Sequence, residues 1–124
     1  MWNLLPMLLL AAALAGCAAP PPPQADIDAA DFGDPPITFR SQIREALGQT
    51  LYDPPTAQLR YEPPFRAVVR SGGGWTAGWV VPVAVKARGP RGAYSTFLPR
   101  RFFFPSGGGC FELHGGQQAV PASD

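Results

Sequence analysis

The stretch from Trp75 to Ala87 constrains this fold more than any other part of the chain. Written as a strand, it places Trp79, Val81, Val83, Val85 and Ala87 on one face and Gly78, Val80, Pro82, Ala84 and Lys86 on the other. Pro82 cannot donate to a ladder, which predicts a sheet edge or a bulge at that point. Gly72-Gly73-Gly74 supplies a reversal before the strand, and Gly89-Pro90-Arg91-Gly92 a turn after it. Flanking strands are then expected at Gln58–Glu62 and Phe65–Arg70, split by Pro63-Pro64, and at Tyr94–Phe104 on the return. Within the return, Phe102-Phe103-Phe104 puts apolar rings on both faces of the sheet, so both must be covered, one by a helix and the other by something else. A short last strand at Cys110–Leu113 sets Phe111 and Leu113 on the inner face and leaves Cys110 exposed beside Glu112.

Upstream, Phe39, Ile43, Ala46, Leu47 and Leu51 recur at helical spacing, with Thr38 as N-cap and Gly48 as stop. Asp53 before Pro54 is placed to cap a turn. The sum is an α+β domain over residues 37–120, a short N-terminal helix packed on a small antiparallel meander.

The N-terminus reads as an address. Leu4 to Leu14 is a nearly unbroken apolar run. It is shorter than the ~20 residues a spanning helix needs and has the length of a secretory h-region. Its ending, Leu14-Ala15-Gly16-Cys17, resembles the bacterial lipobox. That resemblance implies cleavage between Gly16 and Cys17, removal of residues 1–16, and diacylglyceryl and palmitate-type acylation of Cys17. The n-region, Met1-Trp2-Asn3, carries no basic side chain. In lipoproteins of this kind an Asp after the modified cysteine favours the inner membrane. Ala18 in that position implies the outer membrane, with the domain facing the periplasm. Residues 17–36, with Pro20 to Pro23 and four acids (Asp26, Asp28, Asp31, Asp34) without a base, read as a disordered semi-rigid tether.

From Ile37 onward the chain holds all ten bases against five acids, so the expected domain is net +5 although the whole chain is +1. Lys86, Arg88, Arg91, Arg100 and Arg101 gather around the proposed hairpin with Tyr94, Phe97 and Phe102 to Phe104 among them, and no acid intervenes between Lys86 and Arg101. One reading is a solvated hairpin end over an aromatic core. The other is a face for an anionic envelope ligand such as lipopolysaccharide or peptidoglycan. Catalytic patterns are missing from the sequence. His114 sits in a Gly-rich tail, and no nucleophile lies in a Gly-x-Ser-x-Gly elbow. Cys110 and His114 have no second pair at metal-ligand spacing. Asp53, Glu62 and Glu112 form no acid/base pair legible in sequence. The glycine runs at 72–74 and 107–109 do not have the Lys and Ser/Thr of a phosphate cradle. The expectation is a non-enzyme with no catalytic residue, metal, cofactor or nucleic-acid partner. Its partners are the membrane, through Cys17, and an envelope protein or anionic glycan.

At Leu51-Tyr52-Asp53-Pro54-Pro55-Thr56-Ala57, Gly78-Trp79-Val80-Val81, and Val85 to Tyr94 the chain resembles a group of small bacterial envelope lipoproteins and secreted proteins. Their pattern runs Leu-x-Asp-Pro-x-Ser-Ala, then Gly-Trp-x-Val-Cys, then Val-Asn-Ala-Lys-Asn-x-x-Gly-Gly-Tyr-x-Gly. Leu51, Asp53, Pro54, Ala57, Gly78, Trp79, Val81, Val85, Ala87, Gly92 and Tyr94 match, and Thr56 stands for Ser. Pro82 replaces the Cys, Lys86 and Gly89 the two Asn, Arg88 the Lys, Ala93 the second Gly and Thr96 the last Gly. The resemblance implies a capped turn at Asp53-Pro54, a buried Trp79 and a Gly-Tyr return at Tyr94, which specify a fold rather than a reaction.

Overall fold

The computed structural model describes residues Pro20–Asp124, so Gly16, Cys17 and the apolar run before them lie outside the described residues. The chain forms a small α+β domain. Its helices are α1 (Gln24–Asp28) and α2 (Phe39–Gly48), with a 3-10 turn at Pro54–Thr56. The strands are β1 (Gln58–Tyr61), β2 (Phe65–Ser71), β3 (Gly74–Lys86), β4 (Leu98–Pro105), β5 (Phe111–Leu113) and β6 (Ala119–Pro121). They make one open antiparallel sheet in the order β5-β4-β3-β2-β6, with β1 paired to β3 beyond the end of β2.

β3 is the central strand, which corrects the expectation of an edge or bulge at Pro82. β2 pairs along β3 as far as Phe65 opposite Val80, and β1 resumes with Tyr61 opposite Val83. Pro82 therefore faces the break that Pro63-Pro64 makes between the two. Its carbonyl accepts from the Glu62 N–H (3.0 Å), and since both backbone groups of a strand residue point the same way, the missing N–H is directed into that gap. At the other end, β2 and β3 turn through Gly72 and Gly73, where Gly72 at φ 59° fits the first central position of a II′ hairpin.

Alternation along β3 sorts the two faces as expected. Val81, Val83 and Val85 join Phe102 and Phe104 under Ile43 and Leu47 of α2, while Phe103 and Val80 are buried on the opposite face. Among the described residues no helix covers that opposite face; the open sheet curls over it. β5 and β6 lie at opposite edges yet only His114 to Gln118 connect them. Crossing a flat sheet of five strands would take about 19 Å, close to the ~21 Å limit of six extended residue steps. The connector is not extended, because the Gln117 N–H donates to the His114 carbonyl (2.9 Å). The edges must curl toward each other, and Leu113 of β5 and Ala119 of β6 accordingly share one apolar cluster with Ala67, Val69, Val80 and Phe103. β6, unforeseen in the sequence, closes this face.

The acidic segment described from Pro20 to Pro36 is part of the domain, not a free tether. α1 buries Ile27, and Phe32 follows it into a cluster with Val68, against Trp75, Trp79 and Val120. Polar contacts fix the segment: the Trp75 indole donates to the Pro20 carbonyl (3.2 Å), the Trp79 indole to the Gly33 carbonyl (3.1 Å), and the Ser123 N–H to the Asp28 carboxylate (2.7 Å). The Ser123 amide, and after it the Gln24 side chain, hold the Asp28 carboxyl below its ordinary pKa. The domain thus begins well before residue 37. With the four acids inside it, the folded unit carries net +1 rather than +5.

Two further expectations are corrected locally. Asp53 caps nothing with its carboxylate. Its backbone carbonyl accepts the Thr56 N–H (3.2 Å) and hydroxyl (2.8 Å), and Pro54 presets the turn. Thr38 occupies the N-cap position of α2 without a side-chain capping bond, and α2 runs through Gly48 to a cap at Gln49.

Candidate ligand-binding surface at the hairpin end

β3 and β4 are joined by residues 87–97, and the return does not start at Tyr94 as the sequence suggested. Val85 pairs with Leu98 and Arg88 bridges Tyr94, so three steps on one strand face four on the other. One extra residue is accommodated opposite Lys86, which makes the return bulged. Ser95 holds the bulge: its N–H donates to the Ala87 carbonyl (2.8 Å), and its hydroxyl accepts the Ala87 N–H (3.1 Å). The Gly89–Gly92 turn closes as expected, with Gly92 at φ 81°.

This geometry brings a cation and ring array to one end of the sheet. Arg60 of β1 lies over the Phe97 ring at 3.9 Å, and the Lys86 ammonium is 5.8 Å from the centroids of both Phe97 and Tyr94. Cations over ring faces at such distances are held at about 0.5–1 kcal/mol each when exposed. Arg88 donates from Nε to the Gly92 carbonyl (3.2 Å), and Arg91 is exposed at the tip of the turn. Tyr94, Leu98 and Tyr52 are 46 %, 53 % and 68 % exposed and border an open apolar groove of about 420 Å³ floored by Leu51, Val85 and Ala87.

The five basic residues singled out in the sequence divide into two groups. Lys86, Arg88 and Arg91 belong to this end. Arg100 points to the helix side and is bound by both oxygens of Glu112, which raises the guanidinium pKa. Arg101 points to the opposite face and donates to the carbonyls of Gln117 (2.8 Å) and His114 (3.3 Å), anchoring the connector. Both Arg100 and Arg101 are thus spent on structure. Glu112, far in sequence, supplies the acid missing between Lys86 and Arg101. Arg60 was overlooked; only its register opposite Ala84 brings it over the Phe97 ring.

A wider cleft, an open space of about 1040 Å³, runs past Arg100, Arg101, Glu112, His114 and Gln117. Its polar groups bond one another, and His114 is exposed with its backbone carbonyl engaged by Arg101. Trp79, expected buried, is half-buried, and its ring bridges the α2 and α1 clusters.

Cys110 is half-buried on the α2 side, where it packs on the Ile43 cluster, rather than exposed. The alternation of the last strand is as expected, with Leu113 buried on the other face, but α2 covers the Cys110 face too, and Phe111 is the more exposed residue. Burial pushes the Cys110 thiol up to about 11. Maleimide labelling of the native protein should therefore run roughly 100-fold slower than in urea at neutral pH, and should still be accelerating at pH 10. A thiol raised in this way contributes stability below its unfolded pKa near 9, and that contribution is lost as pH climbs through about 11. Equal native and denatured labelling rates would show the thiol to be uncovered.

Compared with protein-family models, with curated proteins and with solved structures, the chain matches none.

Proposed function

We propose that the protein is a lipid-anchored envelope protein of the outer membrane, its domain facing the periplasm as a non-catalytic docking module. The observation that carries this reading is the ordered sequence Leu14-Ala15-Gly16-Cys17 at the end of an apolar run of export length. Two or more acyl chains on one cysteine suffice for stable attachment, at about 0.8 kcal/mol per buried methylene. The domain's chemistry supports docking over catalysis: its buried positions are apolar, and its polar side chains tie segments together or stand in solvent. Cys17→Ser should abolish incorporation of labelled palmitate and move the protein out of the carbonate-resistant membrane fraction. Continued pelleting of the substituted protein would place the anchor elsewhere, and palmitate-free wild-type protein would end the reading.

A further inference from the structure

We infer that the basic, aromatic hairpin end is a binding surface for a carboxylated glycan polymer, presented at the end of the domain opposite the lipid anchor. The inference rests on the anchored reading above and adds the class of partner to it. The long central strand defines the axis. Trp75, near the start of β3, holds the Pro20 carbonyl, and Lys86 ends the same strand. Those residues are eleven steps apart, up to ~36 Å at ~3.3 Å per step. Cys17 precedes Pro20 by three residues, which reach at most ~11 Å. Because residues 24–32 are docked rather than free, the domain has little slack in which to swing its far end back toward the acyl chains. The end that carries Lys86 is therefore the one free to project into the aqueous compartment.

The chemistry at that end fits a sugar polymer with carboxylates. Among the described residues the single ion pair is Arg100 with Glu112, so exposed Arg60, Arg88 and Arg91 and half-buried Lys86 have no acidic partner. Arg60 and Lys86 both lie over the Phe97 ring, and Lys86 also over Tyr94, so the rings hold these cations together at one end of the sheet. The exposed Tyr94 ring can accept the C–H face of a pyranose, while the clustered cations meet carboxylates. The groove on the α2 face, which meets this array at Arg88 and Tyr94, is open rather than enclosing, which suits a polymer segment rather than a small molecule buried on all sides. With both signs nearly balanced over the domain, attraction comes from this local cluster and is felt within about a screening length, ~8 Å at physiological salt.

The test is co-sedimentation of the full-length protein, in mild non-ionic detergent, with protein-free peptidoglycan sacculi. Retention is expected at about 0.1 M salt and lost near 1 M, where the screening length falls to about 3 Å. Arg60→Gln with Lys86→Gln should lower the bound fraction roughly tenfold with an unchanged urea midpoint. Should that pair disturb folding, Arg91→Gln at the exposed tip is the second variant, with a smaller loss expected. Absent retention, or retention indifferent to these substitutions and to salt, overturns the inference. So does release of the protein by anionic phospholipid added to the micelles, which would make the surface a lipid-headgroup site. Sedimentation in detergent does not need acylation. Acylated protein that fails to sediment therefore sinks this inference alone, and unacylated protein that sediments sinks only the anchor.

Discussion

Gly78→Val should unfold the domain, and Gly78→Ala should destabilise it by about 3 kcal/mol or more. A Cβ at Gly78 would collide with the Phe104 carbonyl oxygen and lie 2.8 and 2.9 Å from two carbons of the Phe103 ring. The carbonyl belongs to the neighbouring ladder, where Gly78 pairs with Pro105 and Trp79 with Phe104, so it cannot withdraw without breaking β4 from β3. Truncating Phe103 relieves only the ring contacts. A Gly78→Ala/Phe103→Ala double variant should be less stable than either single one, the rescue expected of a side-chain clash alone being absent. Against a total stability of about 5–15 kcal/mol the single change is severe, and it corresponds to a fall in Tm of about 10–20 °C. Gly48→Ala is the control, because a Cβ there meets nothing within 4 Å and the residue is helical. It should gain about 0.4–1 kcal/mol. Equal Tm values for the Gly78 and Gly48 variants would refute the close approach of β4.

Ile27→Ala and Phe32→Ala should each cost several kcal/mol, about 2–5 for the first and 3–5 for the second. Both residues are nearly inaccessible, at 1 % and 6 %, and their pocket is formed by Val68, Trp75 and Trp79 from the middle of the sheet. The segment also takes the indole N–H groups of Trp75 and Trp79 through Pro20 and Gly33, so its loss would leave two donors to find water. Chains beginning at Pro20 and at Ile37 should therefore differ in urea midpoint, and tryptophan emission of the shorter chain should shift to the red. Identical midpoints and spectra would restore the view of residues 20–36 as a free spacer.

These two results mark where local pattern succeeded and where it failed. The central strand, α2, the glycine turns and the two-faced burial of Phe102, Phe103 and Phe104 were legible because period, β-branching and turn residues act within a few neighbours. The acidic segment was misread for the same reason. Low apolar content signals disorder only when its few apolar residues have nowhere to go, and the slot that receives Ile27 and Phe32 is built by strands some 40 residues further on.

The proposed binding surface divides along the same line. Sequence by itself determined the α+β class and the presence of Lys86, Arg88, Arg91, Tyr94 and Phe97 around one hairpin, and it alone motivates the proposed export address. Tertiary structure alone decided that Arg100 is neutralised by Glu112, that Arg101 is consumed by the connector, and that Arg60 takes their place over the Phe97 ring. The physical reason is register. Whether a charge is free depends on which residue the neighbouring strand sets opposite it, and a one-residue bulge or a curled sheet edge changes that partner without leaving a mark in the local sequence.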